Sequence, residues 1–295
     1  MRMIFMLFFL AVSFFINAQT NYFITSEDGT KLYVRELGTG DPVVILAGGP
    51  GLNAVYLEGV YKKLSEKYRC IVMDQRGTGK SLVGTVDSLT MDMKNYVNDL
   101  EALRKHLNLE KLTLLGHSWG GMLILEYAAR HPMQIQKIIL LDPGGPTSAF
   151  FSYFGDNIEM RLQDEDRREA AKLDSLKQST LPAIYPGYFF DRQRALATRA
   201  SLNSNINGQK GVNRFTINSY VATQNERVML LKNYKGLVYL LQGRQDPIGE
   251  STAYEIKNDL PQTEIHFIEK AGHFPWLENE QQVKECFELL YKFLQ

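Results

Sequence analysis

The sequence predicts an α/β fold: a mostly parallel central sheet with helices on both faces and an inserted, mainly helical cap. Three observations predict it. Short, continuous apolar runs recur at 43–47, 69–73, 112–115, 137–141, 237–241 and 264–268, the form of strands buried on both faces. Helical patterns lie between them, as at 92–107, where Val97, Leu100, Leu103 and Leu107 recur at spacings of three and four. The alternation then stops from about Gly144 to Tyr234 and resumes afterwards. Strand–helix repetition of this kind builds a parallel sheet, and a long insertion between two of its strands covers the carboxyl edge, where open α/β sheets place ligands.

In chain order, residues 1–18 come first. Arg2 supplies a positive charge, 3–16 is an almost unbroken apolar run, and Asn17-Ala18 ends it with a small residue. This is the pattern of a secretory signal peptide cleaved after Ala18, giving an exported, periplasmic or secreted chain. A membrane anchor fits less well, because a spanning helix needs about 20 apolar residues. Strand-like 22–25 and 31–36 flank Asp28-Gly29, a hairpin signal. The core domain is expected over 19–143 and 235–295, with the cap at 144–234. Within the cap, a charged stretch at 159–177 reads as a solvated helix face. The aromatic clusters at 149–154 and 184–190 read as the insertion's own core or as a pocket lining.

Composition narrows the function. Of 295 residues, 44% are apolar and 22% charged, and 33 Lys plus Arg balance 33 Asp plus Glu. That excludes wholesale disorder and gives no global electrostatic case for nucleic acid or an anionic membrane surface. A small-molecule or short-peptide substrate is expected, without stable membrane insertion. The only cysteines, Cys70 and Cys286, make no disulfide framework and read as free thiols. No group of His, Cys and carboxylates has metal-ligand spacing, so neither metal nor cofactor is expected. Gly77-Thr78-Gly79-Lys80-Ser81 is no phosphate loop, because Asp74 stands where that motif needs its first glycine.

The chemistry concentrates in three places. Gly116-His117-Ser118-Trp119-Gly120 follows the 112–115 strand and precedes a good helix former at 122–129. A serine at such a strand-to-helix turn is a nucleophile elbow, with flanking glycines relieving the crowding. A hydroxyl needs a base. Of the five histidines, His106 and His131 lie near helix ends, His266 within a strand and His117 inside the elbow, all read as structural. His273 follows the last strand on a glycine-containing loop and is the expected base. Asp246 follows the preceding strand and would orient it. The oxyanion donors are expected from the backbone N–H of Trp119 and from the loop Gly48-Gly49-Pro50-Gly51.

Together, Gly48-Gly49-Pro50-Gly51, Asp74-Gln75-Arg76-Gly77-Thr78-Gly79-Lys80-Ser81, the elbow, Gly243-Arg244-Gln245-Asp246 and Gly272-His273 resemble the prolyl iminopeptidase (proline aminopeptidase) family of α/β-hydrolases. The resemblance implies the α/β-hydrolase fold and a metal-free Ser118–Asp246–His273 enzyme. Such an enzyme releases an N-terminal residue from short peptides or amino-acid amides through an acyl-enzyme. This chain differs at Ala47, where the family usually has histidine, at His117, where many members have glycine, and at Pro247 beside the triad acid. Its cap carries no matching motif, so proline specificity does not follow. A carboxylate to hold the substrate amine is expected from Glu226, beside Asn225 late in the cap, or from Glu159, Glu165 or Glu169. A carboxylesterase or lactonase would use the same triad without that carboxylate. A non-catalytic binding protein of this fold would have lost triad members, and here all three are present.

Overall fold

The computed structural model describes residues 19–203 and 208–295; the expected signal peptide lies outside them. The chain enters as a hairpin of β1 (Thr20–Thr25) and β2 (Lys31–Leu37), paired antiparallel with Thr25 opposite Lys31. The Asp28 carboxylate accepts from the N–H of Thr30 to close the turn. Then follow β3 (Pro42–Leu46), α1 (Glu58–Leu64), β4 (Arg69–Met73), α2 (Met93–His106), β5 (Leu112–His117), α3 (Trp119–Arg130) and β6 (Ile135–Leu141). The insertion carries α4 (Phe151–Glu159), α5 (Asp164–Ser175), α6 (Leu181–Ile184), α7 (Arg192–Asn203), α8 (Val212–Ala222) and α9 (Gln224–Leu231). The core resumes with β7 (Leu237–Gly243), α10 (Glu250–Asp259), β8 (Thr263–Ile268) and α11 (Glu280–Leu294).

One sheet of eight strands results, in the order β1-β2-β4-β3-β5-β6-β7-β8. Pairing is antiparallel around β2 and parallel from β4 to β8. The continuous apolar runs follow from the pleat. In β3, Val44 and Leu46 join the core shared with α2 and α3, whereas Val43 and Ile45 join the core shared with α1 and α11. In β3 each residue after Pro42 thus meets a helix layer, and all four are apolar. Cys70 and Cys286 are both free and buried, and burial pushes the Cys70 thiol up to about 12. Among the described residues no helix is long and apolar enough to cross a membrane.

The insertion is not wholly a cap. Its last helix, α9, packs on α3 and sends the buried Arg227 guanidinium onto the Glu126 carboxylate of that helix. The earlier helices lie over the carboxyl ends of the central strands, where they share a cavity with the elbow.

A second buried ion pair ties the hairpin to α2. Arg76, fully buried, donates from Nε and Nη2 to the two oxygens of Asp99 at 2.7 and 2.6 Å, and from Nη1 to Asp28 at 2.9 Å. Removing one partner strands a buried charge. Asp99→Ala is therefore expected to lower unfolding stability by about 3–5 kcal/mol, read from urea denaturation. A loss under about 1 kcal/mol would mean that Asp28 alone suffices.

Candidate active site

β5 delivers the chain to Ser118 and α3 carries it away. Ser118 sits at φ +54°, ψ −119°, a conformation sparsely populated by any side-chain-bearing residue. Two close approaches impose it. A Cβ on Gly120 would lie 2.3 Å from the carbonyl oxygen of Leu46, and one on Gly116 would lie 2.5 Å from that of Gly120. Strand and helix backbones thus touch, and the turn between them lifts the half-buried Ser118 into the cavity above the sheet.

Of the three expected oxyanion donors, one has its N–H already engaged. Trp119 opens α3, and among the described residues no acceptor meets its backbone N–H or that of Gly49. Gly48 differs: its N–H donates to the Tyr56 hydroxyl. Gln75 bridges the start of the glycine loop and the Trp119 side chain. Its Nε2 donates to the Ala47 carbonyl at 2.8 Å, and its Oε1 accepts from the Trp119 indole at 2.7 Å.

His273 and Asp246 meet as expected. His273 Nδ1 lies 3.1 and 3.0 Å from the two Asp246 oxygens, and both residues are buried. Asp246 also accepts from the N–H of Ile248 at 2.9 Å, and the N–H of His273 donates to the Tyr188 carbonyl at 2.7 Å. The pairing makes Nδ1 the protonated nitrogen and leaves Nε2 as the basic one. Ser118 and His273 line the same cavity. Asp142 lies close to this pair, and its ligating atom falls within 4.8 Å of theirs; His273 Nδ1 is already taken by Asp246 there.

His117 proves to be a brace. Its Nε2 meets the His273 carbonyl at 2.9 Å and its Nδ1 meets the Tyr56 hydroxyl at 2.8 Å. A carbonyl only accepts, so Nε2 carries the hydrogen and Nδ1 accepts from Tyr56. Burial and the neighbouring His273 hold His117 well below the usual histidine range, hence neutral. Gly48, Tyr56, His117 and His273 thus form one hydrogen-bonded chain that links the oxyanion loop to the base loop.

Above Ser118 lies a cavity of about 230 Å³, walled by Phe150, Phe151, Phe154, Tyr185, Tyr188 and Phe274 among others. For scale, an apolar cavity of about 150 Å³ takes up benzene. Among the described residues no Asp, Glu, Lys or Arg lines it.

The expected amine anchor is not there. Glu226 is half-exposed on α9 and accepts from Arg130 Nη1 and Nη2 at 2.8 and 2.7 Å. The reason is helix rotation: α9 docks on α3 through Arg227, which turns its sequence neighbour Glu226 outward. Glu159, Glu165 and Glu169 likewise pair with Arg167, Arg192 and Arg199 at the surface. His106 and His131 stack on Tyr22 and Tyr127, and His266 meets Glu264, all away from the site. Sequence reasoning missed Tyr56, which carries no spacing signal, and named Gln75 only within a family motif, without a role. It also missed Asp142, whose signal was a carboxylate at a strand's carboxyl end.

The elbow, the sheet order and the acid–base loops after β7 and β8 define an α/β hydrolase. Residues 41–280 match the alpha/beta hydrolase fold family, and the chain belongs to it. A cis-3-alkyl-4-alkyloxetan-2-one decarboxylase from Shewanella oneidensis is 38% identical over 120 residues, 40% of this chain and 37% of that protein. A proline iminopeptidase from Lactobacillus crispatus is 43% identical over 118 residues, 38% of this chain and 40% of that protein. Each match therefore spans well under half of the relative's length. A proline iminopeptidase-related protein from Thermus thermophilus shares the fold, with a TM-score of 0.70 at 24% identity over 94% of this chain and 98% of that one.

Tyr56→Phe tests the brace. It removes the acceptor of the Gly48 N–H and the donor to His117 at once, leaving two buried polar groups unpaired. An unsatisfied buried group costs about 1–3 kcal/mol, so a loss of at least that size is expected in urea denaturation. An unchanged midpoint would show that the chain is not under tension to form.

Proposed function

We propose that this chain is a serine hydrolase that cleaves esters of uncharged, apolar acyl groups through an acyl-enzyme on Ser118. The observation that carries this reading is the cavity wall: aromatic, and free of carboxylates among the described residues. An ammonium group placed there would be a buried charge without a partner, which costs several kcal/mol. An acyl chain or ring would instead bury apolar surface against Phe150, Phe154 and Tyr188 at about 25 cal/mol per Å².

The chemistry follows from the geometry. His273 Nε2 takes the Ser118 proton as Oγ attacks the ester carbonyl carbon, and Asp246 stabilises the imidazolium that forms. The carbonyl oxygen becomes an oxyanion facing the N–H groups of Gly49 and Trp119, each such donor being worth roughly 3 kcal/mol. Collapse breaks the bond to the leaving alkoxide, which takes the proton from His273. A water then attacks the acyl-Ser118 carbonyl, with His273 as base, and frees the carboxylic acid and the serine. The relative named for an oxetanone bearing two alkyl groups supports a substrate of this uncharged kind.

A second reading, an aminopeptidase, draws on the relatives named proline iminopeptidase and on the shared elbow and loop motifs. It needs an anionic group that reaches the cavity, and Glu226, Glu159, Glu165 and Glu169 are all held elsewhere.

The readings separate on substrates. Short and aromatic acyl esters are expected to be hydrolysed with kcat/KM well above that for free-amine aminoacyl naphthylamides, and Ser118→Ala is expected to lower turnover on the order of 10⁶-fold. Glu226→Gln is expected to leave KM unchanged for both classes. Preference for free-amine substrates, together with a Glu226→Gln effect confined to them, would establish the aminopeptidase instead. Turnover by Ser118→Ala within tenfold of the parent would remove Ser118 from the mechanism.

A further inference from the structure

Asp142 takes no part in the steps above, yet it stands behind the triad acid. It lies one residue beyond β6 at φ +45° and is fully buried. Its N–H donates to the Leu241 carbonyl, and its Oδ1 accepts from the N–H of Gly243, both at 2.8 Å. Its Oδ2 meets no donor among the described residues. A buried carboxylate oxygen without a donor is costly, and a second carboxylate beside it adds like-charge repulsion.

Among the described residues no Lys or Arg pairs with Asp142. From β7 and its loop comes Asp246, from the loop after β8 come His273 and Glu278, and from α11 comes the Cys286 thiol. Glu278 is spoken for by the N–H groups of Gly272, Phe190 and Asp191. From the cap, Arg161 donates to the carbonyls of Gln245 and Gly187, and the carboxylates it interacts with are Asp246 and Glu278. Burial first, and then the charge of Asp246, hold Asp142 well above the usual carboxylate range.

Asp246 shows the complementary vacancy. It accepts from Ile248 and from His273 Nδ1, while a carboxylate has about four acceptor positions. Among the described residues no other donor reaches it.

We propose that Asp142 is a positioning residue in its carboxylic-acid form, donating the hydrogen on Oδ2 to Asp246 and thereby holding the triad acid ionised and facing His273. The Gly243 N–H anchors the other oxygen of the acid and fixes which face carries the hydrogen. No proton leaves Asp142 during turnover. The arrangement supplies a neutral donor where a cation or a water would otherwise be required, and both carboxyl groups are buried. The role in catalysis rests on the hydrolase reading above; the protonation of Asp142 does not.

The test reads Asp142 first and turnover second. An infrared difference spectrum between the folded parent and Asp142→Asn at neutral pH is expected to show a carboxylic-acid C=O band lost in the variant. Absence of that band would overturn the proposal, whatever the enzyme hydrolyses. In the kinetic arm, Asp142→Val removes the donor and is expected to lower kcat by roughly 10–100-fold, the usual cost of losing the partner behind a working side chain, with KM little changed. Asp142→Asn keeps a donor toward Asp246 and an acceptor for Gly243, and is expected to restore kcat with the acid limb of kcat/KM in place. Were Asp142 ionised, it would stabilise the His273 imidazolium. Its replacement by Asn would then lower the proton affinity of His273 and move the acid limb down by about one pH unit, which would overturn the proposal. If Asp142→Val does not fold, the infrared band and the Asn acid limb still decide. A parent inactive on all esters and amides would sink the hydrolase reading while leaving the infrared result to stand or fall alone.

Discussion

The first turn of α3 lies against the end of β3 so closely that a side chain at Gly120 would collide with the Leu46 carbonyl. The site is built outward from that contact. It forces Ser118 into a positive φ, which lifts the hydroxyl clear of the sheet. It sets Trp119 at the head of α3, and Gln75 ties the Trp119 indole to the Ala47 carbonyl at the start of the glycine loop. Ser118 and the Trp119 side chain are thus held by backbone contact and one amide side chain. Such preorganisation stabilises developing charge without a reorganisation cost at the moment of reaction.

Around this core the protein uses few charges. His117 is buried neutral, and the formal charge nearest the chemistry is that of Asp246, sharing a hydrogen with His273. The ionic groups of the cap face solvent in pairs, such as Arg192 with Glu165 and Arg199 with Glu169. The inner wall is left to rings, with Phe154 against Tyr188 at 5.8 Å and Tyr188 beside His273 at 5.6 Å. Low polarity strengthens the Asp246–His273 interaction.

What could be read from sequence was what depends on local pattern. The inner strands were legible because burial on both faces favours apolar residues along them. Ser118, Asp246 and His273 were legible because each sits on a short turn at a strand's carboxyl end, and the structure brings the latter two into contact. Glu226 was misplaced because its direction depends on how α9 rotates when Arg227 docks on Glu126, and that depends on residues a hundred positions away. Gly48 was counted among the oxyanion donors because nothing in the sequence shows that the Tyr56 hydroxyl would claim its N–H. The clusters at 149–154 and 184–190 stood open between core and pocket; Phe150 and Tyr185 serve both, being buried and lining the cavity.

The central claim is that Ser118 forms an acyl-enzyme in a cavity made for uncharged acyl groups. Its most direct test is peptide mapping by mass spectrometry after brief reaction with a fluorophosphonate, alone and in competition. The account predicts one adduct, on Ser118, whose formation is slowed by an aromatic acyl ester and not by a free-amine aminoacyl amide. An adduct on another residue, or protection by the free-amine compound and not the ester, would contradict it.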